Sequence, residues 1–139
     1  MLVSASQSDK AKVSVSVKEK TMRDFKNYDV WIDGMRLVNS IYTIVDKFPK
    51  KEQFSITSQM TRSAISIPSN IAEGAGRSSG KEFARFLEYS LGSAYELETQ
   101  ILISEKRNYI SNDESVEIQE VLISLQKRIG GLRKSLLKK

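Results

Sequence analysis

The chain has 139 residues, 40% of them apolar and 28% charged, a composition that suits one globular domain with a buried core and rules out a disordered polymer. It holds no cysteine and no histidine, so disulfides, thiol nucleophiles, Cys- or His-ligated metal sites and the commonest general base are all excluded. Lys and Arg outnumber Asp and Glu by 22 to 17, and the net charge of +5 is compatible with an acidic partner without requiring one.

Residues 1–22 differ from the remainder. They are rich in Ser and Lys and contain no aromatic residue. Val13, Val15 and Val17 alternate with Ser14 and Ser16, a weak strand pattern with no second strand to pair with. The segment reads as a mobile N-terminal tail in which Lys10, Lys12, Lys18 and Lys20 face Asp9 and Glu19, with Met22 as an alternative start. Residues 23–139 read as the folded domain. No apolar stretch approaches the roughly 18 residues that span a bilayer, and no secretory h-region opens the chain. A cytoplasmic protein without membrane contact is therefore expected.

A helical period takes over from Phe25. The first helix is expected over about residues 27–47, with Trp31, Met35, Val38, Ile41/Tyr42 and Val45 inward at steps of three and four. Phe48-Pro49 stops it, because the residue before proline avoids the α region. The second helix begins near Lys51 and carries Phe54, Met60, Ala64, Ile67 and Ile71. Pro68 lies inside that pattern, where it deletes a donor and crowds the carbonyl of Ala64. The period resumes in phase, so one kinked helix is expected rather than two. Ser79-Gly80-Lys81-Glu82 fits a capping box that opens a third helix to about Arg107, with Phe83, Phe86/Leu87, Ser90, Ala94, Leu97 and Ile101 inward. Ser111-Asn112-Asp113-Glu114 is a second such box. The fourth helix places Ile118, Leu122, Leu125, Ile129, Leu132 and Leu136 at heptad-like steps. Gly130-Gly131 interrupts it at about 1 kcal/mol per glycine, a cost that close packing of another helix would explain. Four amphipathic helices joined by short turns make an all-α, up-down-up-down four-helix bundle with its second helix kinked at Pro68.

Few motifs suggest chemistry. Gly74 to Lys81 invites a nucleotide-binding reading, but Ala75 and Glu82 break the phosphate-loop template and Ser79 breaks the dinucleotide fingerprint. Both templates also need a preceding strand where a helix is expected, so the stretch reads as an interhelical turn. Ser66, Asn70, Glu73 and Arg77 form a polar stripe on the second helix, and Arg85, Tyr89, Ser93, Glu96 and Gln100 a similar one on the third. Small residues and amides beside single acids suit a buried or intersubunit network better than a solvated face. Asn70, Glu73 and Arg77 are thus expected to engage Ser93 and Glu96. A hydrolase built on Glu73 or Glu96 is disfavoured, since no base or metal ligand stands beside them. No catalytic residue and no cofactor is assigned.

Charge is sorted along the chain. Residues 82–120 hold nine acids against Arg85, Lys106 and Arg107, whereas Lys127, Arg128, Arg133, Lys134, Lys138 and Lys139 follow with no acid among them. Lys127, Arg128, Arg133 and Lys134 are the candidate nucleic-acid contacts, expected outward because the apolar seam faces the bundle, with Lys127, Lys134 and Lys138 sharing one face and Arg128 and Arg133 flanking it at wider angles. A basic helix end also complements the helix dipole and can pair with the acidic third helix. Phosphate binding is the functional alternative, and it would weaken steeply with salt.

The run Arg62-Ser63-Ala64-Ile65-Ser66-Ile67-Pro68-Ser69-Asn70-Ile71-Ala72-Glu73-Gly74, then Arg77, Glu82-Phe83, Phe86-Leu87 and Gly92 to Gln100, resembles the four-helix bundle family encoded in intervening sequences of 23S ribosomal RNA genes. Phe25, Tyr28, Val30 and Trp31 fit its start, and the likeness covers about residues 23–137. Pro68, Asn70, Glu73, Gly74, Arg77, Ser93, Glu96 and Leu97 occupy its motif positions. The resemblance implies a ring-shaped homopentamer without enzymatic activity. For the related accessory variability determinants of diversity-generating retroelements it implies binding of nucleic acid and of a reverse transcriptase. The expected function is a non-enzymatic, homo-oligomeric accessory protein that holds RNA or DNA backbones. The alternative is a protein–protein scaffold that touches no nucleic acid.

Overall fold

The computed structural model describes residues 23–138; the expected tail, residues 1–22, lies outside the described residues. Four α-helices follow one another: α1 (Asp29–Val45), α2 (Ile56–Ala75), α3 (Gly80–Lys106) and α4 (Asn112–Leu137). Short 3-10 turns at Phe25–Asn27 and Lys50–Glu52 precede α1 and α2. The starts of α3 and α4 are written in their caps. Ser79 Oγ accepts from the Glu82 amide at 3.1 Å, the forward half of a capping box. At α4 both halves form, with Ser111 Oγ accepting from the Glu114 amide and the Glu114 carboxylate accepting from the Ser111 amide.

Successive helices pack against one another and α4 returns to α1, the order of an up-down-up-down bundle. The core runs along the axis through Leu37, Ile41, Met60, Ile67, Ile71, Phe83, Leu87, Leu97, Ile101, Leu122, Leu125 and Ile129, all fully buried. The seam of α4 follows the expected heptad, although Leu132 and Leu136 are only half-buried near its end.

Pro68 lies within the unbroken helix α2. Two side chains supply donors to the carbonyls just before it. Asn70 Nδ2 donates to Ser66 O at 2.9 Å, and Ser90 Oγ, fully buried on α3, donates to Ile67 O at 2.9 Å. The acceptor that Pro68 leaves without its helix donor is Ala64 O, four residues back; these two bonds go to other carbonyls beside the proline, and that of Ser90 ties α3 to α2 there.

α1 buries Ile41 and Val45 as expected, but over its first half the buried face is turned by about one position from the one expected. Val30, Gly34, Leu37, Ile41 and Val45 are buried, whereas Met35 and Tyr42 are each 46% exposed. The reason is steric. A Cβ on Gly34 would lie 3.4 Å from the Pro68 Cβ, so the glycine is the point where α1 lies down on the proline ring. That contact fits the rotation of α1, which leaves Met35 and Tyr42 outside while Trp31 and Val38 stay half-buried against the core. Phe54, expected inside, sits in the turn before α2 and is 89% exposed. Gly130 and Gly131 also depart from expectation: no heavy atom lies within 4 Å of a Cβ built on either, so no helix of this chain packs closely there.

At the end of the bundle away from the α2–α3 turn, Phe48 and Tyr109 stack with ring centroids 5.3 Å apart. Tyr109 Oη donates to Glu52 Oε2 at 2.7 Å, Ser55 donates to the same carboxylate, and Lys47 pairs with Glu114. The Ser55 hydroxyl, followed by that of Tyr109, holds the Glu52 carboxyl below the usual carboxylate range, and the Lys47 ammonium does the same for Glu114. A carboxyl whose folded pKa is depressed adds stability above its unfolded pKa, and that contribution is lost as pH falls through the folded value. Between about pH 5 and about pH 3 the melting temperature of the parent is expected to fall faster than that of a Glu52→Gln/Glu114→Gln variant. Parallel curves would mean that these contacts do not couple protonation to folding.

Candidate nucleic-acid interface

The apolar seam of α4 fixes which of its cations face solvent. Ile129 is buried and Leu132 half-buried, so Lys127, Lys134 and Lys138 stand on the opposite face and are exposed. Their spacings of seven and four keep them on one side of the helix. Arg128 does not join them. Its Nη1 donates to Asp33 Oδ2 at 2.8 Å and lies 3.3 Å from Asp29 Oδ2, bracing α4 against α1. Arg133 is half-buried, its Nη2 stands 4.0 Å from the Glu88 carboxylate on α3, and its Nε is buried without a partner. Of the four cations expected outward, Lys127 and Lys134 are so placed. Arg128 and Arg133 are turned to the flanks, where acids of α1 and α3 meet them.

The fold adds cations to this end that the linear sequence does not group. The up-down order brings the start of α3 beside the end of α4: a Cβ on Gly80 would lie 3.6 Å from Leu136 atoms. A crevice of about 740 Å³ opens there, lined by Arg23, Tyr28, Gly80, Lys81, Leu132, Ser135, Leu136 and Leu137. Arg23 Nη1 donates to Arg77 O at 2.8 Å and its guanidinium lies over the Phe83 ring. Arg77 lies over Phe86 at 4.6 Å, and Arg77, Glu82, Arg85, Phe86 and Tyr89 line a neighbouring hollow that holds one acid beside two cations. Arg23, Lys81, Arg85, Lys127, Lys134 and Lys138 make no ion pair within 4.0 Å with another described residue. Arg23 and Lys81 escape a scan for charge runs because they are far apart in sequence. The antiparallel order of the helices was the signal that could have united them.

The polar stripe does not form the expected network within one chain. Glu73 is exposed and pairs with Arg77 one turn on, at 3.1 Å. Asn70 is half-buried and engaged with its own helix. Ser93 is half-buried and Glu96 exposed, and no hydrogen bond among the described residues joins either to Asn70, Glu73 or Arg77. The buried polar residues of α3 are Ser90, assigned inward from the sequence, Gln100, which belongs to the stripe expected to be buried or between subunits, and Ser104, which the sequence did not single out. Among the described residues no cluster of three His, Cys, Asp or Glu is placed to hold a metal ion. No described helix is long and apolar enough to cross a membrane.

These features define an all-helical bundle with a charged end and no catalytic constellation on its described surface. The family model described as 23S rRNA-intervening sequence protein matches residues 26–131, and the chain belongs to that family. Among solved structures the chain is similar to a protein of unknown function from the S23 ribosomal protein family of Bacteroides thetaiotaomicron. The two share 24% identity with a TM-score of 0.65, over 76% of this chain and 96% of that one, which shows a common fold. No curated protein matches the chain.

Proposed function

We propose that this protein is a non-enzymatic bundle that assembles with copies of itself and holds RNA or DNA by the phosphate backbone at its basic end. The observation that carries the reading is that Arg23 and Lys81, remote in sequence, line one crevice beside the end of α4, whose outward face carries the exposed Lys127, Lys134 and Lys138. Cations that form no ion pair among the described residues can meet phosphates without reading base edges, so the binding is expected to be weakly sequence-specific and salt-sensitive. Self-assembly would repeat the patch, and linked weak sites gain avidity without new contacts. The names attached to the family and to the similar Bacteroides protein both refer to ribosomal RNA or the ribosome, which agrees with an RNA setting. A reverse transcriptase as partner rests on the resemblance to retroelement proteins alone.

A scaffold reading is favoured by a different observation, the uncharged groove of about 330 Å³ lined by Trp31, Met35, Val38, Ile65, Pro68, Ser69 and Ala72. One experiment separates the two. Fluorescence anisotropy of a labelled single-stranded RNA and its DNA counterpart is expected to show binding at low salt that weakens by orders of magnitude as salt rises from about 50 to about 200 mM. Absence of binding at low salt would leave the scaffold reading.

A further inference from the structure

Near the basic end, one aromatic ring stands open to solvent. Tyr89 on α3 is 50% exposed. Helical side chains lean toward the N-terminus, so the residues that would cover this ring are those three and four positions on. They are Gly92, which has no side chain, and the small Ser93. A Cβ built on Gly92 meets no heavy atom within 4 Å, so no other helix of the chain closes over the spot.

The ring is also braced. Tyr89 meets Phe86 edge-on, with centroids 5.4 Å apart and planes at 81°. Phe86 is half-buried beneath the Arg77 guanidinium, which Glu73 holds in turn. Together with Glu82 and Arg85 these side chains line a hollow of about 290 Å³. Arg85 lies one turn before Tyr89, is exposed, and makes no ion pair within 4.0 Å among the described residues. The other exposed aromatic side chains among the described residues lack this setting. Tyr42 and Tyr95 have no Lys or Arg three or four residues away on their helices, and Phe54 sits in the turn before α2, at the opposite end of the bundle.

An exposed tyrosine by itself needs no explanation. An open, braced ring beside an arginine that no described acid engages matches the two needs of a single-stranded nucleotide. Its base stacks on the ring, and its phosphate meets the cation. A duplex cannot use the ring without unstacking, because its bases already stack on one another. We infer that the basic end takes single-stranded nucleic acid, with a base stacked on Tyr89 and the adjoining phosphate on Arg85. The inference rests on the backbone binding proposed above and names the form of nucleic acid that the site takes.

The test is fluorescence anisotropy with a labelled strand of about 12 nucleotides, as RNA and as DNA, each alone and annealed to its complement. A duplex has the denser charge, so phosphate attraction alone would favour it. The parent is instead expected to bind the single strands about tenfold more tightly than the duplexes. Tyr89→Leu should lose about tenfold on single strands of both kinds with its salt slope unchanged, and Tyr89→Phe should bind as the parent does. Arg85→Gln should lower the slope by about one unit. Both positions are exposed, so circular dichroism should show parental helix content for all three variants. Duplex binding as tight as single-strand binding, parental affinity in Tyr89→Leu, or a parental slope in Arg85→Gln overturns the stacking site while backbone binding stands. Failure of the parent to bind either form at low salt overturns both.

Discussion

Gly74→Val is expected to destabilise the bundle by about 3 kcal/mol or more, the upper range for forcing extra atoms into a packed contact. Even a single added Cβ at Gly74 would lie 2.6 Å from Phe86 Cβ, 2.9 Å from Phe83 Cδ1 and 3.3 Å from the Phe83 carbonyl oxygen. The obstruction includes α3 backbone, so no rotamer change relieves it; α3 must move away from α2. The same displacement would pull Phe83 from its edge-on contact with Tyr28 and Phe86 from beneath Arg77. Chemical denaturation should show the loss as a lower midpoint. Gly76→Ala serves as the control, because a Cβ there meets only helix carbonyls at 3.6 Å and 3.9 Å. Its midpoint is expected to stay close to that of the parent. Equal stability of Gly74→Val and the parent would contradict the close α2–α3 crossing.

The second large effect has the opposite sign. A Gly130→Ala/Gly131→Ala variant is expected to gain about 2 kcal/mol of stability, since alanine is favoured over glycine by about 1 kcal/mol at each helical position. Nothing in the chain obstructs either methyl group. Chemical denaturation should show the gain as a higher midpoint, with helix content unchanged. A midpoint at or below that of the parent would contradict the open surroundings of the two glycines.

The sequence carries most of the architecture because helix period, serine caps and proline position are local properties. Ser79 and Ser111 announce their helices, and the seam from Ile118 to Ile129 is a single apolar stripe with one possible inward face. In α1, Ile41 and Val45 are legible as inward, but Met35 is taken for core over Gly34 and Leu37 because the helix holds two adjacent apolar stripes and periodicity favours the bulkier one. The true contact residue is Gly34, which has no hydropathy to count and matters through its fit to Pro68. Glu73 and Arg77 were legible as members of one polar stripe, expected to engage Ser93 and Glu96, but whether such a stripe faces solvent or another chain depends on contacts that one chain does not hold. Arg128 and Arg133 look like their lysine neighbours in the sequence. The acids that engage them, Asp29, Asp33 and Glu88, are remote in the chain and are brought near only by the bundle.

That distinction between engaged and unengaged cations is also where the functional account meets its most direct test. The slope of log affinity against log salt, measured for a labelled RNA by anisotropy, counts the phosphate contacts displaced by salt. Lys127→Gln/Lys134→Gln is expected to lower that slope by about two units, one for each lysine, with helix content unchanged. Arg128→Gln/Arg133→Gln is expected to leave the slope unchanged and to lower the melting temperature, because those side chains brace α4 against α1 and α3. A parental slope in the lysine variant, or the larger drop in the arginine variant, would contradict the assignment of the exposed lysine face as the phosphate-binding surface.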